Sequence, residues 1–226
     1  ALHAGSKAVE FNSTQRGRSE WGVLFRTVWR PRHSDGDILS VGISGAANTA
    51  QNLKAQNKTS YCDLALPFPT SVARVTAASV NLEHVSGVYR FSPEFLIAKG
   101  KLAFETQYYL LNAQRKNHLS SYTAQGGYGY IRFLARGDRF HYSSIDGGIA
   151  FPSPGQVEVV GGVDYVSLSD HTIDGGRLMT ASVTGNWFIN KYLTWRLRAG
   201  YSHRTCRVNS PDIDNFTFET RLMFRY

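Results

Sequence analysis

The sequence predicts an all-β fold, a transmembrane antiparallel up-and-down β-barrel, on three observations. Apolar residues recur with a period of two through most of the 226 residues, as in strands with one apolar and one polar face. The alternating stretches run to about 10–13 residues, whereas strands of soluble domains are usually about 5–6 residues long and a bilayer-crossing strand needs roughly 9–11. No run of about 18 apolar residues occurs, which excludes an ordinary spanning helix. Composition agrees: 13 Phe, 12 Tyr, 4 Trp and 21 Gly stand against 2 Met and 2 Cys, and aromatic side chains favour strands. With 42% hydrophobic and 19% charged residues the chain is not of the disordered class.

The period places about nine strands. The first covers residues 20–30, where Trp21, Val23, Phe25 and Trp29 alternate with Gly22, Arg26 and Arg30. Strands at 37–48, 87–98, 101–112, 122–135 and 156–168 follow by the same alternation. In the strand at 179–189, Met179, Ala181, Val183, Gly185, Trp187 and Ile189 alternate with Thr180, Ser182, Thr184 and Asn186. Asn190-Lys191 reads as a tight hairpin turn into the strand at 193–202, where Leu193, Trp195, Leu197, Ala199 and Tyr201 alternate with Thr194, Arg196, Arg198, Gly200 and Ser202. The last strand, 216–226, sets Phe216, Phe218, Leu222, Phe224 and Tyr226 against Thr217, Glu219, Arg221 and Arg225.

Connections alternate in length. Short links at 31–36, 99–100 and 190–191 interleave with longer ones at 49–86, 113–121, 169–176 and 205–214, as periplasmic turns interleave with outer loops in bacterial barrels. The link at 136–155 breaks the rule, being long where a short turn is due. If Tyr226 ends at the periplasmic rim, residues before about Gly17 fall in an outer loop. An odd count of nine then implies strands lost before the chain begins, since single-chain barrels have even numbers. Residues 1–226 are therefore expected to form the C-terminal part of one barrel domain. They show no signal peptide.

The formal charge of +8 and a sequence pI near 9.6 favour an anionic partner, which for a barrel means acidic lipid or small anions rather than nucleic acid. Arg26, Arg30, Arg196, Arg198, Arg221 and Arg225 share the polar parity and are the candidate anion path, because fixed positive charge in a lumen lowers the entry barrier for anions. Glu94, Glu105, Glu158, Asp164 and Glu219 share that parity, so many of the arginines are expected to be neutralised in cross-strand pairs. On the other parity Trp21, Trp29, Trp187, Trp195, Phe224 and Tyr226, with Tyr192 and Tyr201, are candidates for the aromatic girdle at the membrane interface. A soluble sandwich is disfavoured, because its strands are about half as long and its core rejects several arginines in one strand pair.

No chemistry-bearing motif emerges. The seven histidines are scattered without ligand spacing, and neither a G-x-S-x-G nor a P-loop occurs. No metal or cofactor is called for, and an enzyme is not expected. The glycines at 126–129 lie inside a strand and suit close strand packing. Cys62 and Cys206 fit neither a disulfide framework nor a zinc site, with one bridge left open.

The tracts LAFETQYY (102–109), QGGYGYIRFLARGDRF (125–140), QVEVVGGVDYVSLSD (156–170), GNWFINKYLTWRLRAGYSH (185–203) and FETRLMFRY (218–226), with GVLFRTVWRP and GDILSVGISG upstream, resemble the phosphate-selective porin O and P family. The resemblance runs over most of the chain. It implies a barrel of about 16 strands in the outer membrane of a Gram-negative bacterium, usually trimeric, passing phosphate-like anions by diffusion past lumenal arginines and lysines. It also implies a constriction built from an inward-folded loop in the N-terminal half, expected to be absent from this chain. The alternative is a plugged barrel that serves as a scaffold or partner of other outer-membrane proteins.

Overall fold

The computed structural model describes residues 2–5, 20–49, 52–53, 60–69, 76–145, 147–171, 173–205 and 211–225. All nine expected strands form, each 12 to 15 residues long: β2 (Glu20–Ser34), β3 (Asp37–Thr49), β7 (Val85–Lys99), β8 (Leu102–Arg115), β9 (Tyr122–Arg136), β12 (Val157–Ser169), β13 (Asp174–Phe188), β14 (Leu193–Thr205) and β15 (Ile213–Phe224). With the short β1 (Leu2–Gly5) they make one ten-stranded sheet in the order β1-β2-β3-β7-β8-β9-β12-β13-β14-β15. Every pairing in it is antiparallel.

Three expectations change. Residues 2–5 are strand rather than outer loop, with Leu2 opposite Val23 and Gly5 opposite Glu20, so among the described residues the sheet has ten strands where nine were expected. Four residues are too few to display a period, which hides such a strand from sequence. The hairpin link between β13 and β14 is four residues, 189–192, not two. Asn190 turns it by accepting the amides of Tyr192 and Leu193 on Oδ1 at 2.8 and 2.9 Å, a side-chain turn that releases Ile189 from the sheet. Strand β2 runs past Pro31 to Ser34 through a bulge between Trp29 and Arg32, a place where proline's missing N–H is tolerated.

The two faces of the sheet differ sharply. One carries Trp29, Ile131, Val183, Phe216 at 80% exposure and Phe218 at 74%, an apolar surface far larger than water-soluble monomers present. The other receives two folded-in segments and is called the inner face. From the long-link end, between β3 and β7, comes a small antiparallel sheet of β4 (Asn52–Leu53), β5 (Ser60–Pro67) and β6 (Thr76–Glu83). Its Ala78, Val80 and Leu82 join Val85, Val88, Ala113, Tyr122, Ala124 and Leu168 in one buried cluster, with Leu64 and half-buried Cys62 against it. Phe68 and Ala77 pack on Leu178 of β13. An inward-folded excursion thus occupies the long link expected at 49–86; its two eight-residue strands are too short to stand out as a sustained period.

The second segment, between β9 and β12, accounts for the anomalous long link. Phe140 enters a cluster with Ile38, Ala98, Ala103 and Leu134, flanked by Leu96, Tyr142 and Ile149. Backbone bonds of 2.8 Å from Gly36 N to Phe140 O, from Phe140 N to Gly100 O and from Gly100 N to Gly36 O tie it to two neighbouring turns. Beyond Phe140 it makes a small hairpin, β10 (Tyr142–Ser143) with β11 (Gly148–Ile149).

Candidate functional site

The polar parity of the strands places the site in the middle of the inner face. Glu158 and Asp164 come from β12, Ser182, Thr184 and Asn186 from β13, Arg196 and Arg198 from β14, and Glu219 and Arg221 from β15. Register brings Asn186 opposite Arg196, Thr184 opposite Arg198, Arg196 opposite Arg221 and Arg198 opposite Glu219. Glu105, Tyr130, Arg132, Glu158, Arg196 and Arg198 are among the residues enclosing an open cavity of about 340 Å³.

Charge pairing within it is uneven. The Glu158 side chain is only 3% exposed and accepts Arg132 Nε at 2.7 Å and Asn186 Nδ2 at 3.1 Å. Arg132 also reaches Glu105, Nη1 to Oε2, at 3.6 Å, so one guanidinium serves two carboxylates. Asp164 accepts the Tyr130 hydroxyl. Arg196 donates through Nε to Asn186 Oδ1 at 2.7 Å, and Arg198 through Nη1 to the Pro69 carbonyl at the tip of the folded-in excursion, 3.3 Å away. Both of these bonds go to neutral acceptors, while Glu219 lies directly opposite Arg198 in register. Gly162 lies opposite Tyr130, and a Cβ there would collide with that ring, so the missing side chain is what lets Tyr130 lie over the sheet.

The sequence candidates separate into groups. Arg196, Arg198 and Arg221 converge, and with Glu219 they line a second hollow. Arg26 sits apart with Glu94, Nη2 to Oε1 at 2.5 Å. Arg30 and Arg225 lie at the short-turn rim against the second segment: a Cβ on Gly147 would meet the Arg30 guanidinium, and Arg225 stacks 3.6 Å over the Phe151 ring. On the outer face Trp187 opposes Trp195, which opposes Leu222, and Leu193 opposes Phe224. Trp29, toward the end of β2, shares this end of the sheet. Tyr201 bonds Asp214 at 2.6 Å on the same face, and Tyr192 lies in the β13–β14 link beneath the Lys191 ammonium. Trp21 contributes its backbone to β2; Tyr226 and Cys206 lie outside the described residues. Among the described residues no three His, Cys, Asp or Glu side chains group as metal ligands.

Arg132 and Asn186 were legible and not singled out. Arg132 shares the parity of Tyr128 and Tyr130 and stands between Ile131 and Phe133, a cation inside an apolar alternation that must face the polar side. The inner-face tyrosines are a second omission. Tyr128 stacks on Tyr130 with centroids 4.9 Å apart and approaches Tyr109 at 6.5 Å, whereas the sequence reading sought aromatics on the apolar parity.

At the rim, in the β2–β3 turn, Asp35 binds His141 Nδ1 at 2.9 Å and the Tyr142 amide at 2.8 Å. These two bonds, the His141 bond foremost, hold the Asp35 carboxyl below its usual range.

The model of the phosphate-selective porin O and P family matches residues 6–226. No curated protein matches the chain at a significant level.

Proposed function

Since the chain belongs to the phosphate-selective porin O and P family and is thereby an outer-membrane porin, we propose that it passes small phosphate-like anions by diffusion along a basic strip on the inner face, in the outer membrane of a Gram-negative bacterium. The observation that carries the reading is the pairing of Arg196 directly opposite Arg221. Like charges facing each other across strands destabilise a sheet, and an oxyanion passing beside them adds charge-assisted bonds, with Glu219 in the same hollow offsetting part of that charge. Ser182 and Thr184 add hydroxyls beside Arg198. Arg26 is a weaker contributor, because Glu94 already answers it. On this reading Trp29, Trp187, Trp195 and Phe224, exposed on the outer face, belong to the interfacial belt.

A bilayer leaves no backbone edge unsatisfied. In the membrane the edge strands β1 and β15 therefore pair, with further strands or with each other, and residues 1–226 form part of a single barrel domain. In planar bilayers under a salt gradient, the reversal potential should show anion preference that weakens toward 1 M salt, where the Debye length falls to about 3 Å. Exchanging Arg196 and Arg221 together for serine should shift it toward neutrality. A cation-selective channel would overturn the reading. A second reading, a plugged barrel acting as a scaffold, is favoured by the two segments packed on the inner face; inserted protein without conductance would select it.

A further inference from the structure

On the outer face, the corner of the sheet where β7, β8 and β9 meet the short-turn rim carries an excess of cations. Lys99 stands opposite Leu102, which stands opposite Phe133. Arg136 stands opposite Val157, which stands opposite Trp187. Both cations are exposed. Asp37, on the other side of Lys99, is bound by Arg32 at 3.1 Å. Arg32, Lys99 and Arg136 against Asp37 thus leave two positive charges, and Asp138 in the link beyond is matched in charge by Arg139. Beside this corner opens a groove of about 790 Å³, walled by Phe104 and Phe133 at one end and by Tyr201 and Phe216 at the other. Phe133 is close to the rim end of β9 at Arg136, whereas Phe216 lies well inside β15, which ends at Phe224, so the groove leads from the cations toward the middle of the face. Gly161 is part of its floor, and a Cβ there would meet nothing within 4 Å.

We propose that this corner binds an acidic phospholipid from the leaflet at the short-turn rim, with the headgroup phosphate on Lys99 and Arg136 and one acyl chain in the groove. The proposal rests on the reading of the outer face as the membrane surface and adds a specific lipid to it. Charge selects the occupant: a zwitterionic headgroup brings no net charge to the two uncompensated cations, whereas an acidic one counters them. Strands β7 and β9 are two interstrand steps apart, about 9–10 Å. Lysine and arginine stems are long enough to bring both charged ends to one headgroup while their methylenes stay on apolar surface. An acyl chain in the groove packs against the rings and the Gly161 backbone, contacts that a soluble anion cannot make.

The test places the full chain in nanodiscs of phosphatidylglycerol and phosphatidylcholine in equal parts and counts, by native mass spectrometry, the lipids that stay bound on release. Phosphatidylglycerol should be retained about tenfold over phosphatidylcholine, a ratio that two interfacial cations can supply, and the excess should shrink when the discs are equilibrated toward 1 M salt. Lys99→Gln together with Arg136→Gln should make retention of the two lipids equal. Gly161→Leu keeps every charge and has open space for its side chain, and by filling the groove it should cut retention of phosphatidylglycerol several-fold. Where the double variant does not insert, Gly161→Leu and the salt dependence decide. Equal retention by the unaltered chain, or a preference that survives the double exchange, overturns the proposal. So does a preference that Gly161→Leu leaves intact, because the corner is then a diffuse attraction for headgroups and not a site. Cation selectivity of the unaltered chain in planar bilayers sinks the anion path and leaves the lipid site standing.

Discussion

The two segments folded onto the inner face are held by different physics. The excursion carrying β5 and β6 is docked by apolar burial: Leu82 is fully buried, and Ala78 and Val80 are nearly so, against side chains from β7, β8, β9 and β12. The segment between β9 and β12 fully buries one large anchor, Phe140, with Tyr142 and Ile149 half-buried beside it and Phe151 against Phe188, and it adds backbone bonds to two turns, the Asp35–His141 pair and a close fit of Gly147 under Arg30. Apolar docking is additive over area and indifferent to pH, while a latch of polar contacts fails at single points. The first segment should therefore behave as wall, and the second as the more labile of the two.

The largest expected effect is Leu82→Ala, which removes a fully buried side chain and should loosen the excursion by about 2–5 kcal/mol. Limited proteolysis across residues 50–84 of the inserted protein would show it, while a spin label at the 95% exposed Ile145 should keep its mobility. Coupled loss of both segments would erase the distinction. Next comes Gly147→Val. Gly147 has φ of +68°, and the added side chain must also displace Arg30, so about 1–3 kcal/mol is expected, read as a mobile label at position 145 with the excursion still protected.

Arg198→Ser should cost only about 1 kcal/mol, the worth of one hydrogen bond to Pro69. Proteolysis within 60–69 should rise modestly, and a rise matching that of Leu82→Ala would mean that the tip, not the core, holds the excursion. The smallest effect is titration of Asp35. Its folded-state pKa is lowered by His141 and the Tyr142 amide, so the latch contributes above the ordinary carboxylate value near 3.9 and is lost as pH falls through the lower folded value. Label mobility at 145 should stay flat from pH 7 to about 5 and rise below about 4. Asp35→Asn should show part of that rise already at pH 7. A label insensitive to both would place the whole hold on Phe140 and the backbone.

Sequence alone determined the sheet. A side chain's face in a strand depends only on residue parity, so the alternation around Trp195–Arg196–Leu197–Arg198 and Phe216–Thr217–Phe218–Glu219 sufficed to assign faces. Strand length then set the environment, since 12 to 15 residues of one-sided hydrophobicity exceed what a soluble sheet needs. Register between strands, and hence Arg196 meeting Arg221, is a property of pairs of segments and is not written in either one. The same holds for the folded-in pieces. Leu82 closes an alternation only three residues deep with Ala78 and Val80, Phe140 stands in a polar, aperiodic tract, and what buries them comes from strands as far as 102 positions away, as Ile38 is from Phe140. Only the tertiary structure decides such contacts, because parity constrains a residue along its own strand and says nothing about what packs upon it.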